Sequence, residues 1–302
     1  MNHLENILYL FLIIIIGFLV RRGRFVSEQA RPVLSQFVLQ VALPFMILDS
    51  MRFNFDAQIL TNALVILGIG AVTFVVSIAV SELSSKFWNL PSEQMASYHF
   101  AMVLPNTGFL GLPLLKATLG AEAAFYGAMI QLIFITVNWT YGVYVFTRED
   151  GKRIELKKLL NPSIVALIIG FFLFLFSIEF PSVIYRMVES IGNTATPLTM
   201  LTIGMMLAEM KLKDFTSLGK PFILTAYRNV VFPVVLYFIL RAFGVEGLLL
   251  QVLVIDFAMP IAANTAIFAQ GYDKDYQTAA KLVMISTLFA IVTIPLIVGF
   301  VT

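Results

Sequence analysis

The chain contains no cysteine, which excludes disulfides, thiolate nucleophiles and cysteine-held metals. Its two histidines, His3 and His99, are too few for a histidine-built metal site. Charge is scarce as well. Only 13% of the 302 residues are Asp, Glu, Lys or Arg, against about a quarter in ordinary soluble domains. A net charge of +2 gives no footprint for nucleic acid. What fills the chain instead is apolar: 59% hydrophobic residues and a mean hydropathy of +0.90. Apolar surface on that scale must face lipid, so the class expected is an all-α integral membrane protein with the bilayer as its solvent. The first apolar run, Ile7 to Val20, follows the acidic Glu5 and precedes Arg21, Arg22 and Arg24. A secretory signal has the opposite polarity, so this run is read as a retained first span.

About 20 helical residues cross a bilayer core. On that measure ten spans are expected, over about 5–20, 32–49, 58–82, 94–116, 121–146, 162–178, 184–208, 220–240, 247–269 and 277–300. Asn161-Pro162 reads as a helix start, with Asn as the cap and Pro in the first turn. With the amino terminus outside, fifteen Lys and Arg fall in inner loops and four in outer ones. That bias satisfies the positive-inside rule and predicts both termini outside the cell membrane. Residues 1–147 then form a first set of five spans, 148–161 a cytoplasmic loop and 162–302 a second set of five.

Five is odd, so a repeat of five spans must be inverted in the membrane. Phe100-Ala101-Met102 returns as Phe257-Ala258-Met259, Asn106-Thr107 as Asn264-Thr265, and Pro44 has its counterpart in Pro197. These near-equal offsets favour a true inverted repeat over chance. Pro105 lies near the middle of the fourth span and Pro260 near the middle of the ninth. A proline there removes a backbone donor and breaks or kinks the helix. Gly108 and Gly111 add backbone freedom to the fourth span. Freed peptide groups survive at membrane depth only inside protein or beside a wet cavity. Two such breaks can meet, with helix amino ends facing an anion and bare carbonyls facing a cation. Ordinary proline kinks are the competing account, and a symmetry-related pair with an Asn-Thr at each weighs against it.

The run Asn106 to Leu114 resembles the fourth-span signature of the auxin efflux carrier family, as do Pro260 with Asn264, Asn161-Pro162, and Thr196-Pro197-Leu198 through Gly204. The resemblance covers essentially the whole chain. It implies ten helices in two inverted repeats, with helices four and nine crossing at prolines and a scaffold beside a transport half. It implies elevator-type alternating access for a small organic anion, since the family includes plant auxin exporters and bacterial malonate and malate permeases. Carried over residue by residue, it puts Pro105, Asn106, Pro260 and Asn264 at the crossover that holds a carboxylate, with Thr107, Gly108 and Thr265 beside them. The long cytoplasmic loop of many plant members is absent here.

Charges at membrane depth are functional candidates. Arg228, in the eighth span, is a candidate partner for a carboxylate, or else a helix-pairing or snorkelling residue. Glu82 and Lys86 are four apart, a spacing that would put them on one helix face. They resemble the family's acidic–basic pair implicated in coupling or gating; a headgroup ion pair is the alternative. Asp256 could instead carry a proton or bind a cation, and Gln131 could line the site or bridge helices. Trp88, Trp139, Tyr141, Tyr144, Tyr185 and Tyr237 read as an interfacial belt. No cofactor is expected beyond coupling to Na+ or H+, with uniport left open. Oligomeric state is open too, a homodimer included. A channel is the second reading, though no carbonyl filter or charge ring is visible. An intramembrane enzyme ranks last, with no His-Glu-x-x-His or Gly-x-Ser-x-Gly motif.

Overall fold

A computed structural model describes residues 3–148, 161–209 and 219–302. The described residues are almost wholly helical. In chain order the helices are α1 His3–Arg22, α2 Ala30–Ser50, α3 Ala57–Leu83 and the single turn α4 Ser85–Trp88. Then come α5 Ser92–Val103, α6 Thr107–Leu119, α7 Ala121–Thr147 and α8 Pro162–Leu175. They are followed by α9 Ser182–Asn193, α10 Ala195–Ala208, α11 Gly219–Ala242 and α12 Gly247–Phe257. The last two are α13 Asn264–Gly271 and α14 Tyr276–Val301. Five of these, α2, α3, α7, α11 and α14, are long and apolar enough to cross a membrane, and α6, α8 and α12 are shorter apolar helices. Most of the expected loop at 148–161 lies outside the described residues.

Local chemistry sets the ends and bends. Asn161 caps α8: its Oδ1 accepts from the backbone N–H of Ser163 at 3.0 Å and of Ile164 at 3.1 Å, with Pro162 in the first turn. Such a cap stabilises a helix by about 1 kcal/mol. Asp275 caps α14 in the same way, through Thr278. Four π-helical turns occur among the described residues, at Val38–Ala42, Thr107–Gly111, Asn138–Gly142 and Tyr227–Val231. Three of them end two residues before a proline: Pro44, Pro113 and Pro233. Proline lacks an N–H and crowds the carbonyl four residues back, and a widened turn absorbs that clash without ending the helix.

Two compact units emerge, each drawn from both halves of the chain. The first takes residues 1–66, 108–132 and 160–210; the second takes 67–107, 133–159 and 211–302. Within the first, α1 packs lengthwise on α10 through glycine. A Cβ added to Gly17 would stand 2.2 Å from the Leu201 carbonyl oxygen, and one added to Gly204 would stand 2.0 Å from that of Ile14. Small residues are what let two helix backbones come so close. A half-buried ion pair, Lys116 to Asp49 at 2.6 Å, ties α6 to α2 in the same unit. Within the second unit, Phe268 of α13 packs against Phe100 of α5, with ring centroids 5.1 Å apart, and against Trp139 of α7 at 5.2 Å. Large side chains such as Leu8, Leu12, Leu64, Val72, Ile168 and Phe238 remain exposed on the outer faces of their helices, where lipid would meet them.

Candidate functional site

Both proline breaks belong to the second unit. α5 ends at Val103 because the residue before a proline is pushed out of the helical region, and Leu104 is extended at φ −104° and ψ 102°. α12 ends at Phe257, and Ala258–Ala263 forms the second interruption before α13. The two meet as an antiparallel bridge between Pro105 and Ile261. The N–H of Asn106 donates to the Pro260 carbonyl at 2.8 Å, and that of Ala262 to the Leu104 carbonyl at 3.1 Å.

Other freed backbone groups find partners too, as a low-dielectric interior demands. The Ile261 N–H donates to Ser286 Oγ of α14 at 3.1 Å, and that hydroxyl donates to the Val283 carbonyl. Asn229 of α11 donates to the Ser286 carbonyl at 2.9 Å. Arg228 Nη1 donates to the Phe257 carbonyl at the end of α12. Thr265 turns its hydroxyl back onto the Ala262 carbonyl at 2.8 Å.

Burial marks where this arrangement opens. Every residue from Met95 to Pro105 is buried, and so is every residue from Val252 to Ala262. Asn106 on one strand, and Ala263 with Asn264 on the other, are the half-buried exceptions that follow. Asn264 is held by Asn138 of α7, its Nδ2 donating to Asn138 Oδ1 at 3.0 Å. The Asn106 side-chain amide has no hydrogen-bond partner among the described residues.

The expected site residues thus divide. Pro105, Asn106, Thr107, Pro260, Asn264 and Thr265 lie together in the second unit. Arg228 and Asp256 belong to the same unit and are fully buried, within electrostatic range of each other. As described, the guanidinium grips the backbone where α12 stops. Gly108 and Gln131 lie in the first unit, side by side: a Cβ on Gly108 would stand 2.6 Å from the Gln131 amide nitrogen. Glu82 and Lys86 do not share a helix face, because α3 ends at Leu83 and Lys86 sits on the separate turn α4. Glu82 instead accepts from Tyr141 at 2.8 Å and lies 3.4 Å from Arg148. Two residues read as an interfacial belt are engaged inward. Tyr141 serves Glu82, and Trp88 is 3% exposed with its indole N–H on Ser84 Oγ.

Asn138, Asn229 and Ser286 are the contributors that sequence reasoning missed. For Asn138 a signal existed. It lies two helical turns after Gln131 in an apolar helix, a spacing that recurs on one face.

Comparison with known proteins matches the chain to the membrane transport protein family over residues 3–154 and 146–298. An uncharacterized transporter of Methanocaldococcus jannaschii is 23% identical over 300 residues, covering 97% of each chain. One of Methanothermobacter thermautotrophicus is also 23% identical over 300 residues, covering 98% of this chain and 97% of its own. A Rhizobium meliloti protein described as "Putative malonate transporter" is 23% identical over 299 residues, covering 95% of this chain and 92% of its own.

Proposed function

The chain belongs to the auxin efflux carrier-like family of membrane transport proteins, and on that premise we propose that it is a secondary transporter for a small organic anion bearing a carboxylate. It is a multi-pass membrane transporter and not an enzyme. The observation that carries the finer reading is the opening of two otherwise buried segments at Asn106 and at Ala263–Asn264, beside paired backbone breaks. The first turn of α13 begins there, and a helix amino end presents N–H groups and positive partial charge to an anion. Asn106 and Asn264 add side-chain amides able to donate to a carboxylate. The name of the Rhizobium relative supports a dicarboxylate such as malonate as the first substrate to test.

The proposal extends to ten spans in two inverted sets of five, both termini outside, with alternating access around the crossing of α5–α6 and α12–α13. The recurrence of Asn-Thr and Phe-Ala-Met at near-equal offsets supports that symmetry, and the loop charge bias supports the orientation.

The test is counterflow of labelled malonate, malate and an indole acid into proteoliposomes of the purified protein. Wild type is expected to exchange at least one of them. Asn106→Ala and Asn264→Ala are each expected to lower the initial rate at least tenfold while the protein stays folded. Undiminished exchange in both variants removes the breaks from the mechanism. No exchange of any of the three by wild type removes the organic-anion reading.

A further inference from the structure

A buried ionisable ring with an unpartnered nitrogen is a functional candidate inside a membrane protein. His99, on α5, is 1% exposed, and its Nε2 has no partner among the described residues. Its Nδ1 lies 2.8 Å from Ser81 Oγ and 3.9 Å from Glu82 Oε1, both on α3. Glu82 reaches outward from this buried ring: its side chain is 39% exposed. It holds Tyr141 of α7 through Oε1 and Arg148, the residue after α7, through Oε2. The charges acting on the ring are those of Glu82 and Arg148. Of the other elements packed on α5, α13 carries no charged residue. α4 carries Lys86, and α14 carries Lys281, with Asp275 at its start held by Thr278 and Gln94. An exposed carboxylate beside a buried base is an arrangement through which a proton can enter and be stored.

Two short paths tie this cluster to the breaks. His99 precedes Leu104, whose carbonyl accepts the Ala262 N–H, by five residues along the same segment. Tyr141 follows Asn138, the partner of Asn264, by three residues on α7.

We propose that His99, served by Glu82 and Tyr141, binds and releases the proton that couples this carrier, so that the organic anion crosses together with a proton. The inference rests on the transport reading above and adds the coupling ion to it. A proton arriving on the Glu82 carboxylate passes to the neutral imidazole, directly or through Ser81, whose hydroxyl gives up its own proton as it accepts one. The carboxylic acid thereby returns to a carboxylate, and the ring becomes an imidazolium facing it. The imidazolium then competes with Tyr141 and Arg148 for the same two oxygens. Loss of the Tyr141 bond loosens the turn of α7 that carries Asn138, and with it the hold on Asn264. Release of the proton restores the bond.

The chain has two histidines, so His3→Gln leaves His99 as the single source of a 15N-histidine signal. In detergent micelles, scanned from about pH 5 to pH 8 where histidine exchanges protons, its ring nitrogens are expected to change protonation state. The midpoint is expected to move when Glu82→Gln is added. A ring that keeps one state throughout, or titrates identically in both proteins, overturns the proposal. In proteoliposomes an imposed pH gradient is expected to drive malonate uptake. His99→Gln is expected to lower gradient-driven uptake at least tenfold more than malonate exchange. Malonate uptake by wild type that ignores the gradient overturns the coupling while leaving the carrier reading intact. A Glu82-dependent titration without flux of any tested anion counts against the carrier reading and supports the proton site itself.

Discussion

Asn138 and Asn264 meet through one side-chain hydrogen bond, beside the packed rings of Trp139 and Phe268. Taking away one partner leaves the other amide unsatisfied, which costs about 1–3 kcal/mol in a buried setting. Residues that act as one unit are not additive. Asn138→Leu is therefore expected to lower anion exchange about as much as Asn264→Ala, and the double variant no further, measured as initial rates in proteoliposomes. Independent losses that multiply would show the contact to be incidental. Asp275 gives a second prediction at this scale. Partial burial works to raise its pKa, but hydrogen bonds from the Thr278 N–H and hydroxyl and from Gln94 outweigh that and hold the carboxyl below the usual range. A carboxylate with a depressed pKa contributes stability that is present above its unfolded value and lost as pH falls through the folded one. Asp275→Ala is expected to cost about 1 kcal/mol at neutral pH as a lost cap. The gap between the two melting temperatures should close as acid protonates Asp275 in the wild type. Asn106 and Asn264 were legible in the sequence because each follows a mid-span proline and the pair repeats. Asn138 was legible only by its spacing from Gln131, which marks a shared face but names no partner. The Glu82–Lys86 pairing misled for a simpler reason: spacing implies a shared face only while the helix continues, and α3 stops between them.

Two groups of prolines act differently on these helices. Pro44, Pro113 and Pro233 each follow a π-helical turn, and their helices run on. Pro105 and Pro260 sit in segments that leave the helix altogether and find backbone partners in each other's strand. Sequence alone marks all five as possible breaks, since proline's local chemistry is the same at each. What differs is whether another freed strand lies within reach, a tertiary fact no local pattern encodes. The α1–α10 contact shows the same division. Gly204 stood out as part of a family signature, while Gly17 looked like one more residue of an apolar run. Both backbones are in contact, so Gly204→Leu is expected to destabilise the protein by about 3 kcal/mol, as overpacking of a tight contact does. The readout is thermal unfolding in detergent. Gly68→Leu, at a position with open space around it, serves as the control and should leave the melting temperature unchanged.

Across the whole molecule, hydropathy and loop charge predict a ten-span topology that cysteine labelling tests directly, because the chain has no native thiol to remove. Asn54→Cys and Phe243→Cys are expected to react with an impermeant maleimide in intact cells. Ser27→Cys and Lys86→Cys are expected to react only after permeabilisation. All four positions are exposed. Labelling of all four from one side would break the topology. The helical class was readable from composition because too few charges exist to wet so much apolar surface. The two compact units were not, because each gathers segments from both chain halves, and a linear division at 148–161 cannot foresee that.

The link between the interrupted segments is made of backbone carbonyls, and of N–H groups that every amino acid but proline carries. A substitution scan would therefore pass over it, and natural drift in the flanking side chains can retune cargo preference without unfastening the joint. Removing it without changing a side chain requires altering the polymer itself. An ester in place of the peptide N–H at position 106 deletes the donor to the Pro260 carbonyl while leaving the asparagine side chain untouched.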